Sequence, residues 1–96
     1  MHRFEAEAWE WGGEATWVFV TLPAALADEI EASTEHTAGF GSVPVRVVIG
    51  DTRWSTSLFP DKARASYVLP LKQAVRRAES IEPGDLVAIG LEVRRP

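Results

Sequence analysis

The sequence predicts a small, mostly β domain: about six short antiparallel strands in a barrel or sandwich, with two short helices. Three observations carry this. Residues 3–11 and 43–59 alternate apolar and polar side chains with a period of two. Turn formers at Gly12-Gly13, Gly50-Asp51 and Pro83-Gly84-Asp85 punctuate the chain. Two stretches, each opening on a proline, place apolar residues at helical spacing.

In residues 3–11, Phe4, Ala6 and Ala8 share one face, while Arg3, Glu5, Glu7 and Trp9 share the other, as in a strand with one buried face. Gly12-Gly13 suits a tight turn. Residues 15–21 (Ala-Thr-Trp-Val-Phe-Val-Thr) are aromatic and β-branched and return as the second strand. The small Ala6 and Ala8 leave room for Trp17 or Phe19 inside a tightly curved sheet. Pro23 pre-sets φ for a helix over residues 23–32. Leu26, Ala27 and Ile30 form its apolar stripe, and Asp28, Glu29 and Glu31 face water. Residues 33–42 lack periodicity and hold two glycines, which reads as a loop and the most mobile segment.

The clearest hairpin joins residues 43–49 to 52–59. A two-residue Gly50-Asp51 turn pairs Ile49 with Thr52, Val47 with Trp54, Arg46 with Ser55 and Val45 with Thr56. Val45, Val47, Ile49, Trp54, Thr56 and Leu58 then share the core face, and Arg46, Val48, Arg53, Ser55 and Ser57 the other. Residues 61–65 form a polar link to a short strand over 65–69. Pro70 opens a second helix with Leu71, Ala74, Val75 and Ala78 at apolar spacing and Lys72 and Arg76 opposite, beside Arg77. Residues 86–93 form a last apolar strand, and the tail Arg94-Arg95-Pro96 is expected to fray. No internal repeat is apparent in the sequence.

A chain of 96 residues is expected to form one domain over 1–96. It has no cysteine, which excludes disulfides, thiolate metal ligands and a cysteine nucleophile, and fits a reducing cytoplasm. No apolar run approaches the ~20 residues of a spanning helix, and the start lacks a signal-peptide core, so no membrane role is expected. The net charge of −4 is uneven. Residues 1–35 carry eight acids against Arg3, whereas residues 36–96 carry nine bases against six acids.

The ordered segments Trp17-Val18-Phe19-Val20-Thr21-Leu22-Pro23, Val45-Arg46-Val47-Val48-Ile49-Gly50, Trp54-Ser55-Thr56-Ser57-Leu58, Tyr67-Val68-Leu69-Pro70-Leu71-Lys72 and Pro83-Gly84-Asp85-Leu86-Val87 resemble the bacterial domain-of-unknown-function 1905 family, over about residues 4–93. The resemblance implies a double-split β-barrel, the architecture that AbrB-type regulators and MazE-type antitoxins build from two chains, here supplied by one. Such domains occur alone or ahead of a bacteriocin-protection domain, which this chain is expected not to hold. The family has no established catalytic residue to carry over. Its usual basic entry into the third strand reads Ala38-Gly39-Phe40-Gly41-Ser42-Val43-Pro44 here and lacks that charge. With the resemblance, the expected architecture is a small closed antiparallel β-barrel of about six strands with two short helices.

The leading functional expectation is a non-catalytic module that binds a small anionic ligand or a protein partner. Its ligand-binding set is Arg46, Arg53, Ser55 and Ser57 on one hairpin face, with Tyr67, Lys72 and Arg76 beside them, because guanidinium forks and hydroxyls suit phosphate or carboxylate. The same residue types also occur on ordinary solvated faces, paired with glutamates. Four tryptophans is a high count for this length. Trp54 falls on the core face, while Trp9 and Trp11 are the exposed candidates for a partner surface. A nucleic-acid-binding regulator, using Arg53, Lys72, Arg76 and Arg77, is the second reading. An uncharacterised hydrolase is the third, although His36, Ser55 and Asp61 have no nucleophile-elbow frame. No catalytic residue, metal site or cofactor is expected, and a monomer or a homodimer is the expected assembly.

Overall fold

Two long strands organise the computed structural model, which describes residues 1–12, 16–33 and 41–94. They are β1 (His2–Gly12) and β4 (Thr52–Asp61). The others are β2 (Thr16–Thr21), β3 (Val43–Ile49), β5 (Ser66–Pro70) and β6 (Leu86–Val93), with helices α1 (Ala24–Ser33) and α2 (Gln73–Glu79) and a 3₁₀ turn over Lys62–Arg64. The strands close into an antiparallel barrel in the order β1-β2-β5-β4-β3-β6.

Each long strand changes partner midway. β1 pairs with β6 from His2 to Glu7 and with β2 from Ala8 to Gly12. β4 pairs with β3 as far as Leu58 and with β5 from Phe59 to Asp61. At the first switch Ala8 pairs with Val20 of β2, and on the side where the β6 ladder has ended its N–H donates to Asp85 O at 2.9 Å and its C=O accepts from Gly84 N–H at 2.7 Å. Backbone groups that lose a strand partner are thus satisfied by a turn. Along the chain the elements read β-β-α-β twice. Exchanging β1 with β4, β2 with β5 and β3 with β6 returns the same set of pairings, so the barrel is topologically twofold although its sequence shows no repeat.

The alternation read from the sequence sorts the side chains. Val20, Val43, Val45, Val47, Leu58, Leu69 and Leu91 fill the barrel with no exposed surface, and Ile30 of α1 and Val75 of α2 pack against them. The β3–β4 register is the expected one at every pair. Gly50 has φ 55° while Asp51 stays outside the left-handed region, which makes the turn type II′ with glycine at its first central position.

Three local expectations give way. Val18 and Val20 point inward, so Trp17 and Phe19 lie outside rather than against Ala6 and Ala8. Two β-branched residues fill the tight interior that an indole would overpack. Pro70 ends β5 and the second helix starts at Gln73, because Leu71 N–H is taken by Val18 O at 2.9 Å and extends the sheet. On α2, Val75 is buried but Ala74 and Ala78 are exposed, since a two-turn helix meets the barrel along a narrow line, and Leu71 of the predicted stripe is buried ahead of the helix. Gly12 ends β1 paired with Thr16, while Gly13 of the predicted turn and most of the predicted 33–42 loop lie outside the described residues.

Candidate functional site

The second partner switch opens the barrel wall. β5 follows β4 only from Phe59 to Asp61 and then turns to β2, pairing Val68, Leu69 and Pro70 with Thr21, Val20 and Phe19. The first part of β4 is left without a strand on that side. The resulting split is a cleft of about 760 Å³. Trp17 of β2 borders it, Trp54, Ser55 and Thr56 of β4 face it, and Lys72 and Arg76 close it from the β5–α2 side.

The register determines which backbone groups meet the cleft. Ile49 and Thr52 close a two-residue hairpin and exchange both hydrogen bonds; each alternate pair does the same. Arg53, Ser55 and Ser57 occupy the other pairs, so their N–H and C=O groups point away from β3, toward the split. Within Thr52–Leu58 no β5 residue pairs with them.

Arg76 is half-buried, and its Nε donates to Leu71 O at 2.9 Å. That bond fixes the guanidinium and leaves its terminal nitrogens available. Neither Lys72 nor Arg76 has an acidic partner among the described residues. Glu79, on the same helix, is engaged elsewhere and accepts from Thr52 Oγ1 at 2.6 Å. Among the described residues, the cleft is lined by no carboxylate, imidazole or thiol. Its polar lining is two cations, two hydroxyls, the Gln73 amide and two indoles, a set suited to holding an anion.

Of the residues expected from the sequence, the fold brings Ser55, Lys72 and Arg76 together. Arg46 lies exposed, 3.9 Å from Glu92 across β6. Arg53 is exposed and Ser57 half-buried, both beyond the cleft lining. Tyr67 belongs to the core cluster at 9% exposure. Arg77 is exposed outside the lining. His36 lies outside the described residues. The sequence names Trp17 and Trp54, with Trp9, Trp11 and Tyr67, as aromatics able to line a cavity that stacks a ring or base, but leaves them and Thr56 out of the ligand-binding set. Trp54 and Thr56 were placed on the inner face, and they reach the cleft because the wall is open there. The signal for Trp17 was the Val18/Val20 pair, whose shape suits the interior better than the aromatic alternative.

A row of aromatic rings runs from the cleft across the outer face of β1 and β2. Trp11 opposes Trp17 and Trp9 opposes Phe19. Trp17 and Phe19 stack with centroids 6.2 Å apart and planes 10° apart, and Phe19 and Trp9 lie at 5.2 Å. Trp9 is half-buried rather than exposed, with its indole N–H donating to Thr21 Oγ1 at 2.9 Å. Arg64 sits over its ring at 4.3 Å. Arg64 in turn donates to Asp61 Oδ2 at 2.7 Å, and this hydrogen bond holds the Asp61 carboxyl below the usual carboxylate range.

Among the described residues, no group of three or more His, Asp or Glu side chains converges as a metal site would require, and no helix is long and apolar enough to cross a membrane. No curated protein matches the chain. The family model described as Domain of unknown function (DUF1905) matches residues 4–91, from within β1 to the end of the β6–β1 pairing, and the chain belongs to that family.

Proposed function

We propose that the protein is a non-catalytic, cytoplasmic bacterial binding module whose ligand is a small anion held in the split between β4 and β2. The observation that carries this is the convergence of Lys72 and Arg76, both without acidic partners among the described residues, with the hydroxyls of Ser55 and Thr56 between two indoles. Cations beside low-polarity walls interact more strongly with an anion than they would in open water. The cleft size lies within the ~300–1,000 Å³ typical of small-molecule sites.

The test is a thermal-shift series with inorganic phosphate, pyrophosphate and citrate on the wild type and on Arg76→Gln. An anion binding the native state raises Tm by mass action, by an amount corresponding to about 2.7 kcal/mol at one hundred times Kd. The rise should be lost in Arg76→Gln. A flat response to every anion would sink the reading.

A protein partner is the second reading, favoured by Trp11 at 53% and Trp17 at 51% exposure, paired across the hairpin. Exposed aromatic pairs of this kind commonly mark contact surfaces. Sedimentation of the wild type and Trp11→Ala over a concentration series tests self-association. A mass that stays monomeric in both removes the homodimer form of this reading.

A further inference from the structure

We propose that the anion held by Lys72 and Arg76 is carried on a planar nitrogen heterocycle, so that the ligand is a free mononucleotide; this rests on the reading of the cleft as an anion site. Three features meet there. Trp17 borders the cleft half-exposed, and Phe19 stacked beside it holds its plane. A ring held in a fixed plane and left open is a stacking platform that adds affinity without ordering cost. The second feature is the main-chain edge of Ser55. Because β5 has turned away to β2, one N–H and one C=O of an extended strand face the cleft with no ladder partner. An adjacent donor and acceptor on one edge match the donor–acceptor edge of a nucleobase. The third is the position of Lys72 and Arg76 on the opposite wall, where they meet the anionic end.

A single nucleotide fits better than a strand of nucleic acid. The chain carries a net charge of −4, and the exposed Glu5 and Glu7 share the outer face of β1 with Trp9 and Trp11, where following phosphates would have to run. Polymer binding draws on many convergent cations, and the described residues of the cleft offer two.

The experiment titrates intrinsic tryptophan fluorescence with adenosine 5′-monophosphate, ribose 5-phosphate, inorganic phosphate and a short single-stranded oligoadenylate. Adenosine 5′-monophosphate should bind about tenfold or more tighter than ribose 5-phosphate, the advantage a stacked base confers. Trp17→Ala should erase that advantage and leave ribose 5-phosphate binding in place, while Lys72→Gln should weaken both probes alike. Equal binding of the two probes overturns the heterocycle and leaves the anion site standing. So does a folded Trp17→Ala variant, with wild-type circular dichroism, that keeps the advantage. Failure of adenosine 5′-monophosphate, ribose 5-phosphate and phosphate to bind overturns both readings. Oligoadenylate binding that is tighter than the monophosphate and collapses with salt overturns the free-nucleotide assignment in favour of a single strand.

Discussion

Glu79 ties the end of α2 to the β3–β4 turn. Its carboxylate accepts from Thr52 Oγ1 and fills the space that a Cβ on Gly50 would need. Gly50 is therefore constrained twice, by its φ of 55° and by this neighbour. Gly50→Ala should cost about 1–2 kcal/mol from the left-handed backbone, with a further loss from displacing Glu79. In a Glu79→Ala background the cost should fall to the backbone part alone. Urea unfolding of the four-member cycle checks this, and identical costs in both backgrounds would show that turn and helix are uncoupled. The backbone constraint on Gly50 was legible from the Gly-Asp turn between two alternating strands. The Glu79 contact was not, because it joins positions 27 residues apart through the way α2 lies on the barrel.

Asp61 gives a second prediction at this scale. Its carboxylate caps the 3₁₀ turn through Arg64 N–H at 3.3 Å and pairs with the guanidinium that covers Trp9. Since the folded pKa is depressed, the associated stability is present above the unfolded value of ~3.9 and is lost as pH falls through the folded pKa. Wild type should therefore be more stable than Asp61→Asn at neutral pH, and the gap should close in strong acid. Chemical denaturation across the acid limb reads it, and a gap independent of pH would remove the charge from the explanation.

At the scale of elements, β4 does the work of two strands, and Leu58 sits where it passes from β3 to β5. It is fully buried, whereas the next residue, Phe59, is 47% exposed. Leu58→Ala should cost about 2–5 kcal/mol, the range for a large-to-small change in a close-packed core. Phe59→Ala should cost far less, because its ring stays half in water in the folded state. Equal losses in equilibrium unfolding would mean that the β4–β5 part of the barrel does not carry the burial described. The β3–β4 hairpin could be read pair by pair, since period two and a two-residue turn leave one register that sorts Val45, Val47 and Leu58 from Arg46, Arg53 and Ser55. The ends of β5 and α2 could not. Pro70 is equally compatible with a helix start and a strand end, and the decision rests with Val18, a residue from a different part of the chain. The cleft was hidden for the same reason. Ser55, Lys72 and Arg76 could be named by residue type, but their meeting depends on β5 leaving β4, which no local pattern encodes.

At the scale of the whole molecule, the twofold topology makes the two chain junctions equivalent. The β3–β4 turn joins the first β-β-α-β unit to the second, and the β6–β1 pairing brings His2 beside Leu91, so the described ends of the barrel strands also lie side by side. The two units have diverged in charge: the first holds most of the acids, and the second supplies Lys72 and Arg76 to its split. Barrel closure relies on pairings distant in sequence, β1 with β6 and β2 with β5, which makes the topology slow to fold but indifferent to where the chain is cut. A circular permutant that links residue 94 to Met1 through a short flexible segment and opens between Gly50 and Asp51 should therefore form the same barrel, in the order β4-β5-α2-β6-β1-β2-α1-β3. Its cost should be modest. Freeing the turn loosens the Thr52–Glu79 hydrogen bond, worth about 1.5–3 kcal/mol as a bond to a charged group, and relocating a loop changes closure entropy only by roughly 1 kcal/mol. The permutant should unfold cooperatively, with a far-UV spectrum like that of the wild type, and should show the same anion response as the wild type in the thermal-shift series, because every wall of the cleft is kept. A permutant that is unfolded, or that folds without the cleft, would mean that the β3–β4 turn is a required nucleus and that the two halves are not interchangeable units of the barrel.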